Sequence, residues 1–143
     1  MKGGVGVIDL ARSIDFRDGH IPGAHWGIRT RLEKLRGALA GARLAAIAAP
    51  DAAQAALAAP EAAALPGLPV YILEGGTKAW RAAGLPLEAD RRNPTDADCA
   101  DFYLRPYDRN DGVEAAMREY LSWEIDLVHE VAKDGDAPFG HWH

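Results

Sequence analysis

Val5-Gly6-Val7-Ile8-Asp9-Leu10 is a continuous, largely β-branched run, the pattern of a strand covered on both faces. Downstream, Ser13 and Asp15 open a short helical or turn segment, and Gly19-His20-Ile21-Pro22-Gly23-Ala24 forces a reversal. Pro22 presets φ for the second position of a type II turn, and Gly23 supplies the positive φ that the third position requires. A short strand from Ala24 to Trp26 follows. Leu32, Leu35 and Leu39 recur at helical spacing among basic residues, predicting a surface helix over 29–39 with Gly41 as its cap. Leu44 to Ala48 reads as a third strand, although alanine is a poor strand former.

Residues 51–65 are alanine-rich and helical, with Pro60 expected to break or restart the helix. Val70-Tyr71-Ile72-Leu73 is the clearest strand. It ends at Gly75-Gly76, after which Thr77 is expected to cap a helix that carries Trp80 and ends at Gly84. Strands alternating with helices require crossover connections, so the fold class is α/β, an open, mostly parallel central sheet flanked by helices on both faces. Residues 87–109, with Pro94 and Pro106, form a surface excursion. Asp111 and Glu114 make a capping box for a long C-terminal helix over 112–133 that closes at Gly135. Its apolar stripe runs through Val113, Met117, Tyr120, Leu121, Leu127, Val128 and Val131, with Trp123 and Ile125 outside it. The expected organisation is a core over 1–88 and an extension over 89–143, its long helix packed on the same domain.

Composition excludes several classes. Sixteen basic against 21 acidic residues give a net charge of −5 and a pI near 5.5, the wrong sign for binding that depends on neutralising phosphates, so no nucleic-acid partner is expected. No apolar run approaches the ~20 residues of a spanning helix, and Met1-Lys2-Gly3-Gly4 leads into a strand rather than a signal sequence, so no membrane partner is expected. One cysteine among 143 residues permits neither an internal disulfide nor a cysteine-based zinc cage, which makes the cytoplasm the expected compartment. At this length about 70% of the unfolded surface is buried on folding. Because 28 of the residues are alanine, larger apolar side chains gathered in short runs must supply most of the buried area.

Three motifs stand in order: Val7-Ile8-Asp9-Leu10, then Gly19-His20-Ile21-Pro22-Gly23-Ala24, then Leu73-Glu74-Gly75-Gly76 with Trp80 and Gly84-Leu85-Pro86. Together, over residues 5–88, they resemble the rhodanese-like domains of the sulfurtransferase superfamily. Arg105-Pro106-Tyr107 and the long helix resemble the C-terminal end of tandem rhodanese proteins. The resemblance implies an open α/β sheet and, in active members, a cysteine that carries sulfur as a persulfide. That cysteine ends the central strand and starts a tight loop. Converging backbone N–H groups and the positive end of a helix stabilise the thiolate and the anionic donor there.

Ala49, 27 positions before Gly76, stands where the resemblance places the cysteine. The loop reads Ala49-Pro50-Asp51-Ala52-Ala53-Gln54, so the nucleophile, the loop glycine and the basic residue are replaced by Ala49, Ala52 and Gln54. Pro50 removes an N–H, and Asp51 adds a negative charge beside any bound anion. A methyl group cannot carry sulfur. The expectation is therefore a catalytically inactive binding module of a sulfurtransferase system with no catalytic residue. Its partners are another rhodanese domain or a second copy of itself. The alternative is a thiosulfate-type sulfurtransferase active in a tandem or oligomeric context or through Cys99, which is flanked by Asp96, Asp98 and Asp101. A third possibility is a neutral ligand pocket at the vestigial loop. Complete rhodanese domains have a further strand and helix ahead of the Val-Ile-Asp-Leu strand, where this sequence has four residues. The expectation is a piece of a tandem protein, or a long C-terminal helix that covers the surface the absent segment would cover; an uncovered sheet edge would pair with another chain.

The remaining motif residues have structural readings. His20 is expected to bond to nearby backbone, and Asp9 to accept backbone hydrogen bonds beside the turn. Gly19, Pro22, Gly23, Gly75, Gly76 and Trp80 belong to the scaffold. His141 and His143 lack an evident third ligand, so no metal is assigned. Gly75-Gly76 falls short of a nucleotide fingerprint, and no cofactor is implied. Arg29, Arg31, Lys34 and Arg36 form a basic face, read as solvated surface or as a dock for an acidic neighbour.

Overall fold

The computed structural model describes residues 4–65 and 67–134. Two compact units divide it, one reaching Tyr103 and the other starting at Leu104. In the first unit four parallel strands, β1 (Val5–Asp9), β2 (His25–Trp26), β3 (Leu44–Ala48) and β4 (Val70–Ile72), lie in the order β2-β1-β3-β4. Val5 pairs with Leu44 and Asp9 with Ala48, while Ala45 pairs with Val70 and Ile47 with Ile72.

Side-chain alternation along these strands feeds two cores. On one face Ile8, Ala45 and Ile47 pack with Ala55, Ala58 and Ala62 of α2 (Ala52–Ala63) and with Leu32 and Leu39. On the other, Val7 and Ala48 meet Phe16 of α1 (Ser13–Asp18), Ile21, and Trp80 of α3 (Gly76–Ala82).

Several local expectations are corrected. Residues 29–39 do not make an α-helix: Arg29–Leu35 is a tight 3₁₀ segment kinked at Arg31 (φ −131°, ψ 22°). Its turns close through Arg31 N–H to Ile28 O and Arg36 N–H to Glu33 O, and Gly37 follows. Pro60 neither breaks nor restarts α2, which runs unbroken through it. Proline in a helix interior costs about 3 kcal/mol. Here the buried Ala55, Ala58 and Ala62 hold the helix on the sheet on either side of it. Thr77 is not the cap of α3. That position belongs to Gly75 in the left-handed region (φ 74°), and the Thr77 side chain turns to Asp9 instead. The strand expected over 70–73 is present as β4, at the edge of the sheet with Tyr71 and Ile72 exposed.

The excursion after Leu87 is tied to the first unit. Arg17, 5% exposed, donates to the Pro94 carbonyl from Nε (3.0 Å) and Nη2 (2.6 Å) and to Asp96 Oδ1 (2.8 Å). Asp101 Oδ2 accepts the Ser13 N–H at 2.7 Å. In the second unit a 3₁₀ turn, Pro106–Asp108, precedes α4 (Val113–Asp134), whose Glu114 pairs with Arg118. Of its apolar residues Val113, Met117, Tyr120, Leu121, Trp123, Ile125, Leu127, Val128 and Val131 are all exposed. Gly135, His141 and His143 lie outside the described residues. No helix among the described residues is long and apolar enough to cross a membrane.

Candidate functional site

After β1 the chain crosses to β2 on one side, and then returns to β3 on the other. The connections leaving the carboxyl ends of β1 and β3 therefore diverge to opposite faces and open a crevice, the place where open α/β sheets bind ligands. A crevice of about 330 Å³ lies there, lined by Leu10, Ala11 and Arg12 after β1, by Trp26 at the end of β2 and Gly27 to Thr30 after it, and by Gln54 and Asp101. Backbone and side-chain bonds fix its walls. Leu10 N–H reaches Ala48 O (2.9 Å), Gly27 N–H reaches Asp9 O (3.0 Å), and Trp26 Nε1 donates to Ala11 O (2.9 Å). Gln54 Nε2 donates to Leu10 O at 3.1 Å.

Ala49 directly follows β3 and is 8% exposed, while Pro50, Asp51, Ala52 and Ala53 are exposed. Its backbone lies hard against Gly76: a Cβ on Gly76 would stand 2.4 Å from Ala49 O. Glycine at 76 is thus required twice, by this approach and by φ +54°. Asp51 caps α2 with its own carboxylate, Oδ1 accepting the Gln54 N–H at 2.8 Å. The positive end of that helix is already matched by an anion from the chain itself.

The crevice cations are matched as well. Arg12 pairs with Asp15 at 2.8 Å and Arg29 with Glu61 at 2.7 Å. Asp101 contributes a carboxylate to the lining. A site meant to gather an anionic donor keeps positive charge unspent; here each cation has an acidic partner.

The motif residues beside the crevice form a scaffold. Asp9 is fully buried at the end of β1, its Oδ1 accepting the Ala11 N–H (2.9 Å) and its Oδ2 the Thr77 hydroxyl (2.8 Å). This links β1 to the first turn of α3. His20, also buried, stacks on Phe16 with ring centroids 3.8 Å apart, and its Nδ1 lies 2.6 Å from Phe16 O. The turn around Pro22 closes with Ala24 N–H to Ile21 O (2.9 Å), and Gly23 takes φ +76°. Gly19 ends α1 in extended backbone, its N–H donating to Asp15 O. Trp80 Nε1 donates to Pro86 O at 2.8 Å. Cys99 is buried, its N–H bonded to Thr95 O (3.2 Å), and it does not line the crevice. Among the described residues no three His, Cys, Asp or Glu side chains are placed to hold a metal ion. The motifs gave no signal for the contacts that Thr77 makes with Asp9 and Gln54 with Leu10, which join segments 68 and 44 residues apart.

Burial raises the Asp9 pKa from its ordinary value of 3.8, opposed in part by the Ala11 N–H, the Thr77 hydroxyl and the charge of His20. Between 3.8 and the raised value, the folded chain holds more protons at this site than the unfolded chain. The contribution of Asp9 to stability is therefore full below that window and falls as pH rises through it. Protonated Asp9 keeps both contacts, since Oδ2–H can donate to Thr77 Oγ1. Urea unfolding of the wild type and Asp9→Asn across this range is expected to show the stability gap between them shrinking as pH rises. A gap independent of pH would refute the assignment.

Comparison with solved structures gives consistent matches. Thiosulfate sulfurtransferase from Pseudomonas aeruginosa is 38% identical with a TM-score of 0.71 over 93% of this chain. This chain spans about a quarter of the length of that protein, 25%. The rhodanese-like domain of the Alr3790 protein from Anabaena sp. is 25% identical with a TM-score of 0.55, covering 61% of this chain and 94% of that domain. No protein-family model and no curated protein matches the chain.

Proposed function

From the premise that this chain carries a rhodanese-like domain, we propose that it is a sulfur-transfer-silent binding module of a cytoplasmic sulfurtransferase system. The observation that carries this reading is Ala49 directly after β3, a methyl group where active relatives of this fold need a thiolate. Two further features support it: the self-capped end of α2 and the paired cations of the crevice. A crevice whose cations are paired and whose lining holds no cysteine binds no anion strongly and has no atom that can accept sulfur. The partner is another rhodanese domain or a second copy of this one. Support for that comes from the exposed edge strand β4, with Tyr71 60% and Ile72 46% exposed. The relative about four times as long also embeds the matched stretch in a larger chain.

Incubation with thiosulfate followed by intact mass measurement is expected to leave the mass unchanged, and added cyanide is expected to yield no thiocyanate. A gain of about 32 Da, the mass of one persulfide sulfur, would overturn the proposal. Loss of that gain in Cys99→Ser would assign the chemistry to Cys99.

A further inference from the structure

A second crevice, of about 220 Å³, lies on the far side of the Trp26–Ile28 ridge, between the 3₁₀ segment and the 93–98 loop. Its lining differs in kind from the first. Trp26, Ile28, Leu35 and Pro94 supply apolar surface, and Arg31 and Lys34 supply two cations. Unlike Arg12 and Arg29, these two cations have no ion-pair partner among the described residues. The carboxylate of Asp98, also in the lining, accepts the Thr95 hydroxyl at 2.7 Å. The outer wall is rigidly held, because the buried Arg17 donates twice to the Pro94 carbonyl and once to Asp96.

We propose that this crevice binds a compact organic carboxylate, its apolar body on Trp26, Ile28 and Leu35 and its anionic group facing Arg31 and Lys34. The volume is below the range of drug-sized ligand sites and suits a body about the size of one aromatic ring. Charge selects the class. In a chain of net charge −5, two unpaired cations beside apolar surface attract an anion, and guanidinium meets a carboxylate through paired N–H donors. Apolar contact with Trp26 and Leu35 favours a carboxylate carrying a ring or branched chain over a bare inorganic anion. The proposal is independent of whether residue 49 or Cys99 can hold sulfur.

The probe is benzoate, titrated into the isotopically labelled full chain with backbone amide shifts as the readout, and its neutral isostere benzamide as control. Saturable shifts are expected at Lys34, Leu35, Thr95 and Asp98, which line only this crevice, rather than at Leu10, Ala11, Gln54 and Asp101, which line only the first. Benzamide is expected to bind on the order of tenfold more weakly. The double variant Arg31→Gln/Lys34→Gln, both side chains exposed, is expected to lose that preference with its unfolding midpoint unchanged. Equal binding of benzamide, shifts centred on the first crevice, or no saturable shift would each overturn the proposal. So would a double variant that folds as the wild type and still prefers benzoate.

Discussion

Gly76→Ala is expected to lower the unfolding free energy by about 3–5 kcal/mol, measured by urea denaturation. Two costs combine at this position. The added Cβ would lie 2.4 Å from Ala49 O and 3.1 Å from Ala49 N, and these are backbone atoms that cannot rotate aside. The residue also holds φ +54°, which alanine adopts only with strain. Gly84→Ala separates the two, because Gly84 has φ +73° with nothing within 4 Å of the added carbon. It is expected to cost about 1 kcal/mol, the conformational part alone. Similar losses in the two variants would show that the contact between α3 and the end of β3 is slack. The loop that replaces the sulfur-bearing one would then not be held by Gly76.

Arg17→Met is expected to cost about 2–4 kcal/mol, because it keeps the buried stem and removes the guanidinium donors. The Pro94 carbonyl loses both bonds from Arg17, and Asp96 loses its charged partner. Asp96 is 26% exposed, so water recovers part of that loss. Amide exchange should locate the damage: protection is expected to fall across 93–101 while β1 and β3 retain theirs. Uniform loss over the whole first unit would mean that the excursion and the sheet unfold together, contrary to a local anchor.

Local chemistry explains what could be read in advance. The β1 run, the Pro22-Gly23 turn and the step from β4 through Gly75-Gly76 into α3 each depend on residues within a few positions of one another, and each appears as expected. So do the buried, backbone-bonded His20 and Asp9. Contacts across the chain could not be read that way. Arg17 looks like an ordinary surface residue of a six-residue helix, yet its partners stand 77 and 79 residues downstream. Thr77 has the chemistry of a cap, but a glycine already in the left-handed region fills that place and frees its hydroxyl for Asp9. The apolar letters of 70–73 cannot distinguish a central strand from an edge one, since that depends on which neighbours the sheet acquires. Spacing of leucines over 32–39 matched a helix. The chain there closes through a 3₁₀ turn from Arg36 N–H to Glu33 O and one longer turn from Leu39 N–H to Leu35 O, burying Leu32 and Leu39 and leaving Leu35 half-buried.

Between α2 and the sheet the helix contributes only alanine, Ala55, Ala58 and Ala62, against Ala45, Ile8 and Ile47 on the strand side, all buried. Such a seam has almost no slack in either direction, because shrinking a methyl leaves glycine in a helix and enlarging it wedges two backbones apart. Drift at these positions is thus filtered far more severely than on the solvent side of α2, where Leu57 is 59% exposed. Descendants of this gene should therefore diversify along the outer surface of α2 while its inner surface stays nearly frozen, whatever becomes of the chemistry next door.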